Sequence, residues 1–308
     1  MNFLLVVVGA TAVGKTDLAI RLAQHIGTDI ISADARQFYK EMSIGTAKPT
    51  AEELGLVKHH FIDSHSIEDQ YNAGLFEKEV LGLLETLFRE KKMVVLVGGS
   101  GMYVKAVCEG LDTMPTVLPE TRNILQQEFD EYGLTHLLAE LESKDPDYYQ
   151  TVDRANPQRI LRALEVIRST QQPYSSFRKG EQALNPNPRN FCTIKIGLAR
   201  PREELYARID SRVDKMIAEG LLDEVRNLTP FKNLNALQTV GYKEIFDFLD
   251  GTQDWQETLR LLKRNTRHYA KRQLTWFGKD SEIAWFAPHQ FEDIIEYVKN
   301  KLEKNQKN

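Results

Sequence analysis

The segment Gly9-Ala10-Thr11-Ala12-Val13-Gly14-Lys15-Thr16 constrains this chain more than any other. It fits G-x-x-x-x-G-K-S/T, the pattern of a phosphate-binding loop. Its flanks agree. Phe3 to Val8 is an unbroken apolar run, as a strand buried on both faces requires. From Asp17 to Ile26 the apolar residues Ala19, Leu22, Ala23 and Ile26 fall at helical spacing. The glycines let backbone N–H groups turn inward around an anion, and the helix N-terminus adds partial positive charge. Lys15 is placed to reach the terminal phosphates and Thr16 to ligate Mg²⁺. Nucleoside triphosphates are the default occupants, but any diphosphate satisfies the same N–H groups.

Further strand-like apolar runs at Asp29–Ser32 and Met93–Val97 alternate with amphipathic stretches, and Phe191–Leu198 alternates and reads as another strand. The expected fold is α/β, a P-loop NTPase-like parallel sheet flanked by helices. Between Pro119 and about Ala155 helical periodicity runs without a strand candidate, and Leu134, Leu137, Leu138 and Leu141 form one stripe. Residues 112–155 are therefore expected to be a small all-helical insertion, with 1–111 and 156–308 forming the core. Asn156-Pro157 starts a helix with Ile160, Leu161, Leu164 and Ile167 inward. Gln171 to Arg189 is expected to be a loop, and the Lys- and Asn-rich last ten residues are expected to fray.

With 308 residues and a net charge of −4, no global basic signature marks a nucleic-acid binder, so any such surface is local. Cys108 and Cys192 make no metal-ligand spacing and fit a reducing cytoplasm. No stretch is apolar enough to span a bilayer, so no membrane partner is expected. His59-His60 is a poor metal candidate, because adjacent side chains point apart and no third ligand is near.

On such sheets ligands gather at the carboxyl ends of strands. Asp34 ends the second strand, where a carboxylate is able to act as general base or to hold a metal; a helix cap is the plainer role. The strand at 93–97 ends in Gly98-Gly99 instead of an acid, which argues against a triphosphate hydrolase. Arg208 and Arg212 share a helix face, and Asp210 and Asp214 are equally able to engage them in a surface network. Lys263, Arg267 and Lys271 form a basic stripe with Tyr269 and Trp276 close by, which suits an RNA backbone or a solvated face alike. On these residues alone a group transferase and a nucleoside-monophosphate-type kinase both stand. A non-catalytic nucleotide-gated RNA-binding module is a third reading.

The ordered motifs resemble those of the bacterial tRNA dimethylallyltransferases along nearly the whole chain. Gly9–Thr16 is similar to G-x-T-A-x-G-K-T, Asp34–Tyr39 to D-S-R-Q-x-Y, and Ile44–Pro49 to I-G-T-A-K-P. Gly98–Tyr103 is similar to G-G-T-G-x-Y, and Asn156–Glu165 to N-P-x-R-x-x-R-A-L-E; Gly241-Tyr242 and Arg272-Gln273 also match. Ala35 replaces the usual Ser, and Ser100 the usual Thr. The resemblance implies an enzyme that uses Mg²⁺; nothing in the sequence demands an oligomer, so a monomer is expected, in the cytoplasm that the cysteine usage suggests. It implies transfer of a dimethylallyl group from dimethylallyl diphosphate to the exocyclic amine of the adenosine 3′ of the anticodon, in tRNAs reading codons that begin with U. Asp34, Lys15 and Arg212 would be catalytic, with Arg208 the alternative arginine. Contacts to the anticodon stem-loop would come from Asp34, Ala35, Arg36 and Gln37, from Gln158, Arg159, Ile160, Leu161 and Arg162, and from Ser100, Arg122, Lys263, Arg267 and Lys271. The adenine would enter a channel between sheet and insertion.

Overall fold

A computed structural model describes residues 1–112, 114–178 and 189–307. Six parallel strands form one sheet: β1 (Asn2–Gly9), β2 (Ile30–Ser32), β3 (His59–His60), β4 (Met93–Gly98), β5 (Phe191–Leu198) and β6 (Ala284–Phe286), in the order β3-β2-β4-β1-β5-β6. The helices are α1 (Lys15–Ile26), α2 (Ala51–Leu56), α3 (Ala73–Leu87), α4 (Gly101–Glu109), α5 (Pro119–Lys144), α6 (Pro146–Thr151), α7 (Pro157–Thr170), α8 (Arg202–Ala218), α9 (Leu221–Asn227), α10 (Lys243–Leu249), α11 (Trp255–Phe277) and α12 (Phe291–Lys307). The expected parallel sheet between helices is the fold observed. None of the described helices is long and apolar enough to cross a membrane.

The apolar run of β1 is continuous because both faces of the strand are covered. Leu4, Val6 and Val8 face one core cluster with Phe76, Val80, Leu221, Tyr242 and Leu262. Phe3, Leu5 and Val7 face another with Leu18, Leu22, Ile209 and Ile294. Each fully buried Leu or Val stabilises the fold by about 1.5–3 kcal/mol. Parallel partners β4 and β5 take both edges of β1, so its ladder is closed in the middle of the sheet.

The chain divides into two compact units, Met1–Glu109 with Pro188–Asn308, and Gly110–Asn187. The second is larger than the insertion expected at 112–155. Helix α7 belongs to it: Ile160, Leu161, Leu164 and Ile167 do turn inward, but onto Leu125, Leu137, Leu141 and Tyr148 of α5 and α6. Apolar periodicity shows that a face is buried without saying against what. Within α5, Gly133 at φ 75° breaks the helix into two runs. Of the loop expected at 171–189, Tyr174–Phe177 forms one 3₁₀ turn, and 179–188 lies outside the described residues. The last ten residues do not fray over their described part: α12 continues to Lys307, with Ile294, Ile295 and Val298 buried against the sheet.

Candidate active site

The carboxyl ends of β1, β2 and β4 open onto a cavity of about 380 Å³ within the first unit. Its first wall is the phosphate loop. Gly9 (φ 149°) and Gly14 (φ 111°) stand in backbone regions that side chains rarely adopt, so the glycines at both ends of the loop are conformational requirements. Gly14 caps α1 with no side-chain partner, leaving the first-turn N–H groups of α1 open to the cavity it lines. The loop carbonyls are held separately. Lys15 Nζ donates to Ala10 O (2.9 Å), Arg208 Nε to Ala12 O (2.8 Å) and Arg200 Nε to Val13 O (2.8 Å). With the carbonyls occupied by cations, the remaining loop N–H groups form an anion nest.

Two further cationic and acidic groups complete the site. Arg212, one turn beyond Arg208 on α8, lines the cavity and makes no hydrogen bond or salt bridge among the described residues. Burial depresses its guanidinium, with the Asp34 carboxylate pulling the other way and Arg208 adding to the depression. Burial likewise brings the Lys15 ammonium down to about 8, again opposed by Asp34 and assisted by Arg212. Lys15, Arg212 and Asp34 therefore sense one another across one small volume. Arg208, tied to Ala12 O, is a fixture of the loop, and Arg212 is the arginine left open for a ligand.

Asp34 sits just beyond β2. Its Oδ1 accepts the Arg36 N–H (3.0 Å) in an Asx turn, which fixes the carboxylate and leaves Oδ2 without a partner among the described residues. Around it the turn is fastened by its neighbours. Ala35 N–H donates to Ser100 Oγ (2.8 Å), which also bonds to Tyr269. The two positions at which the sequence departs from the family motif are thus in contact, through a hydroxyl that Thr would equally supply. Burial, followed by the Asp34 charge, pushes the Tyr269 phenol up to about 12. Gln37 Nε2 donates to Thr46 O (3.2 Å) and Ala47 O (3.1 Å), and its Oε1 accepts from Ser32 Oγ (3.1 Å). Gln37, expected to touch RNA, is engaged on both sides by protein; Arg36 reaches Ala35 O and Asn235 O.

The glycines ending β4 serve packing. A Cβ on Gly98 would lie 2.2 Å from Ala33 O, and one on Gly99 would lie 2.3 Å from Gln273 Nε2. Gln273 was legible only as part of a motif. Its Oε1 accepts from the Thr11 N–H (2.8 Å) and its Nε2 donates to Gly99 O (2.9 Å), so it joins the phosphate loop to the end of β4. The available signal was a polar residue on the buried stripe of α11, between Ala270 and Phe277. Glu224 is a second such residue. It accepts from the N–H groups of Ser43 (3.0 Å), Ile44 (2.7 Å) and Gly45 (3.0 Å) and from the Tyr242 hydroxyl (2.7 Å). That carboxylate anchors the Ile44–Pro49 segment, whose Gly45, Thr46, Ala47 and Pro49 line the cavity.

Other expected contacts fare unevenly. Lys263 pairs with Asp214 (2.6 Å) and Arg267 with Asp210 (2.5 Å), so two members of the basic stripe bridge α11 to α8 instead of forming a free face. Lys271 is exposed and has no ion pair among the described residues. In the second unit Ile160 and Leu161 are buried core residues, whereas Gln158 and Arg159 are exposed. Arg122 (2.7 Å) and Arg162 (3.1 Å) both hold the buried Glu165 carboxylate. Burial opposes that carboxylate's charge, but the two arginines hold it below the usual range. His60 bonds Asp29 Oδ2 (2.8 Å), and His59 faces the cavity with its Nδ1 on Val57 O (2.8 Å). Burial pushes the Cys108 thiol up to about 12, which removes it as a nucleophile.

Comparison with known proteins places this geometry. The sequence matches the IPP transferase family over residues 37–280. A protein of Cytophaga hutchinsonii named tRNA dimethylallyltransferase is 51% identical over 302 residues, 98% of each chain. One of Bacteroides thetaiotaomicron, named tRNA dimethylallyltransferase 1, is 48% identical over 97% of this chain and 96% of its own. Among solved structures, the full-length tRNA isopentenylpyrophosphate transferase of Bacillus halodurans aligns with a TM-score of 0.73 at 34% identity, covering 100% of this chain and 99% of that one. A eukaryotic dimethylallyltransferase solved acting on tRNA shares the fold, with a TM-score of 0.76 at 24% identity over 98% of this chain and 78% of its own. With this family match over 37–280 and relatives about 50% identical along nearly its whole length, the chain belongs to the IPP transferase family.

Proposed function

We propose that this protein is a tRNA dimethylallyltransferase, moving the five-carbon group of dimethylallyl diphosphate onto the exocyclic amine of the adenosine 3′ of the anticodon. The observation that carries the reading is the convergence of one carboxylate, Asp34, with two cations, Lys15 and Arg212, beside a loop of open N–H groups. The loop and both cations bind the diphosphate. The amine lone pair is delocalised into the purine, so attack needs a base. Asp34 Oδ2 takes the amine proton as the N–C bond forms at the allylic carbon. The C–O bond breaks, and its electron pair leaves on the diphosphate, where Lys15, Arg212 and the helix N-terminus offset the charge. Thr16 lines the same wall, and its hydroxyl would hold Mg²⁺, an ion that needs few protein ligands. When bound, the ion would offset charge on the departing diphosphate.

Exposed Gln158 and Arg159 at the start of α7, exposed Lys271 on α11 and the Asp34–Arg36 turn are the tRNA contacts that exposure and position best support. Base, cations and loop all come from this chain, which supports action as a monomer, and an unmodified tRNA substrate supports a cytoplasmic site of action. The test is incubation with unmodified tRNA, Mg²⁺ and dimethylallyl diphosphate, followed by nucleoside mass spectrometry. A gain of one C₅H₈ unit on adenosine is the expected result. Phosphoryl transfer from ATP to an acceptor, with no adenosine product, would replace this reading with the kinase.

A further inference from the structure

Helix α8 runs along the cavity as a graded surface. Arg208 touches the phosphate loop through Ala12 O (2.8 Å), and Arg212 faces Lys15 and Asp34. Beyond them the cavity lining turns apolar with Val213 and Met216, and continues into Leu221 and Tyr242. From Arg212 to Met216 is four residues, ~6 Å along the axis, close to the length of one isoprene unit. Two of the lining positions, Gly45 and Tyr242, pack against each other. A Cβ on Gly45 would lie 2.6 Å from the Tyr242 ring, and one on Gly241 would lie 3.7 Å from Gly45 O. Leu221 and Tyr242 are fully buried, and the Glu224 carboxylate fastens Tyr242 and the Ser43–Gly45 backbone together. The end wall is thus braced from behind. Met216, partly exposed, unbranched and flexible, is the lining residue whose size is free to vary.

We propose that this apolar end receives the dimethylallyl group and that Met216, against the braced wall of Gly45 and Tyr242, limits the donor to one isoprene unit. The proposal rests on reading the cavity as a prenyl-donor site, and its test separates the two. Unmodified tRNA is incubated with equimolar dimethylallyl and geranyl diphosphates, and the C₅ and C₁₀ adenosine adducts are quantified by mass spectrometry. In Met216→Ala the C₁₀-to-C₅ ratio rises by about tenfold or more over the unsubstituted protein, the scale on which apolar pockets discriminate by length. An unchanged ratio overturns the length limit while leaving the donor site standing. Absence of both adducts from the unsubstituted protein overturns both. Met216→Phe supplies the converse and decides the matter if the alanine variant does not fold. Its KM for dimethylallyl diphosphate rises about tenfold, while the Kd of inorganic pyrophosphate, which reports the phosphate end alone, stays put. A parallel rise in both, or in neither, places the prenyl group elsewhere.

Discussion

At the scale of single residues, the site is made by side chains denied their usual partners. Asp34 spends one oxygen on its own turn and keeps the other open. In Asp34→Asn the turn still forms, because an amide oxygen accepts the Arg36 N–H, but the base is gone. Single-turnover prenyl transfer should fall by about 10²–10⁴ with tRNA affinity changed by no more than about threefold; rapid-quench kinetics and filter binding measure the two. Lys15 supplies a pH signature. Burial brings its ammonium down to about 8, below the unfolded value of about 10.4. Pyrophosphate affinity should therefore weaken as pH rises through about 8, and isothermal titration between pH 7 and 9.5 would record it. The sign for stability is opposite. Between those two values the unfolded chain carries the extra proton, so the contribution of this lysine to folding stability rises with pH across that window.

At the scale of elements, α8 and α11 are joined by the Lys263–Asp214 and Arg267–Asp210 pairs. Each pair is partly exposed and contributes about 0–1 kcal/mol. Removing Lys271 should lower the slope of log affinity for tRNA against log salt by about one, and removing Lys263 or Arg267 should lower it by clearly less; equal slopes in all three variants would return the stripe to a single free face. The elements themselves were unequally legible. β1 and β4 were readable because strands buried on both faces must be apolar throughout, and β5 because its apolar residues alternate with Thr193 and Lys195. β3, two residues, and β6, three residues, are too short to show any alternation, and they exist because β2 and β5 offer them edges. The phosphate loop and Asp34 were readable because each lies within a local pattern, and Arg212 was singled out from Arg208 by the family resemblance. Gln273 and Glu224 were not, since their partners lie 262 and about 180 residues away, and nothing local announces a long-range hydrogen bond.

At the scale of the molecule, two units each own an apolar core. The phosphate loop, Asp34, Lys15 and Arg212 lie in the first. Pyrophosphate at about 100 times its Kd should stabilise that unit by about 2.7 kcal/mol. Hydrogen exchange followed by mass spectrometry on the whole chain should then show slower exchange over 9–16 and along α8, with α5 and α7 unaltered. Slowing of equal size in α5 and α7 would mean that the chain opens as one cooperative body.

Gln273 carries a last consequence. It needs to give a hydrogen on one side and take one on the other, and a carboxamide is the side chain of that reach with both on one flat head. Glutamate would set oxygen against the Gly99 carbonyl, and lysine would leave the Thr11 amide unanswered. A single atom exchanged at this hinge pin would unlatch the pyrophosphate cradle from the neighbouring strand tip, and would do so without touching either substrate.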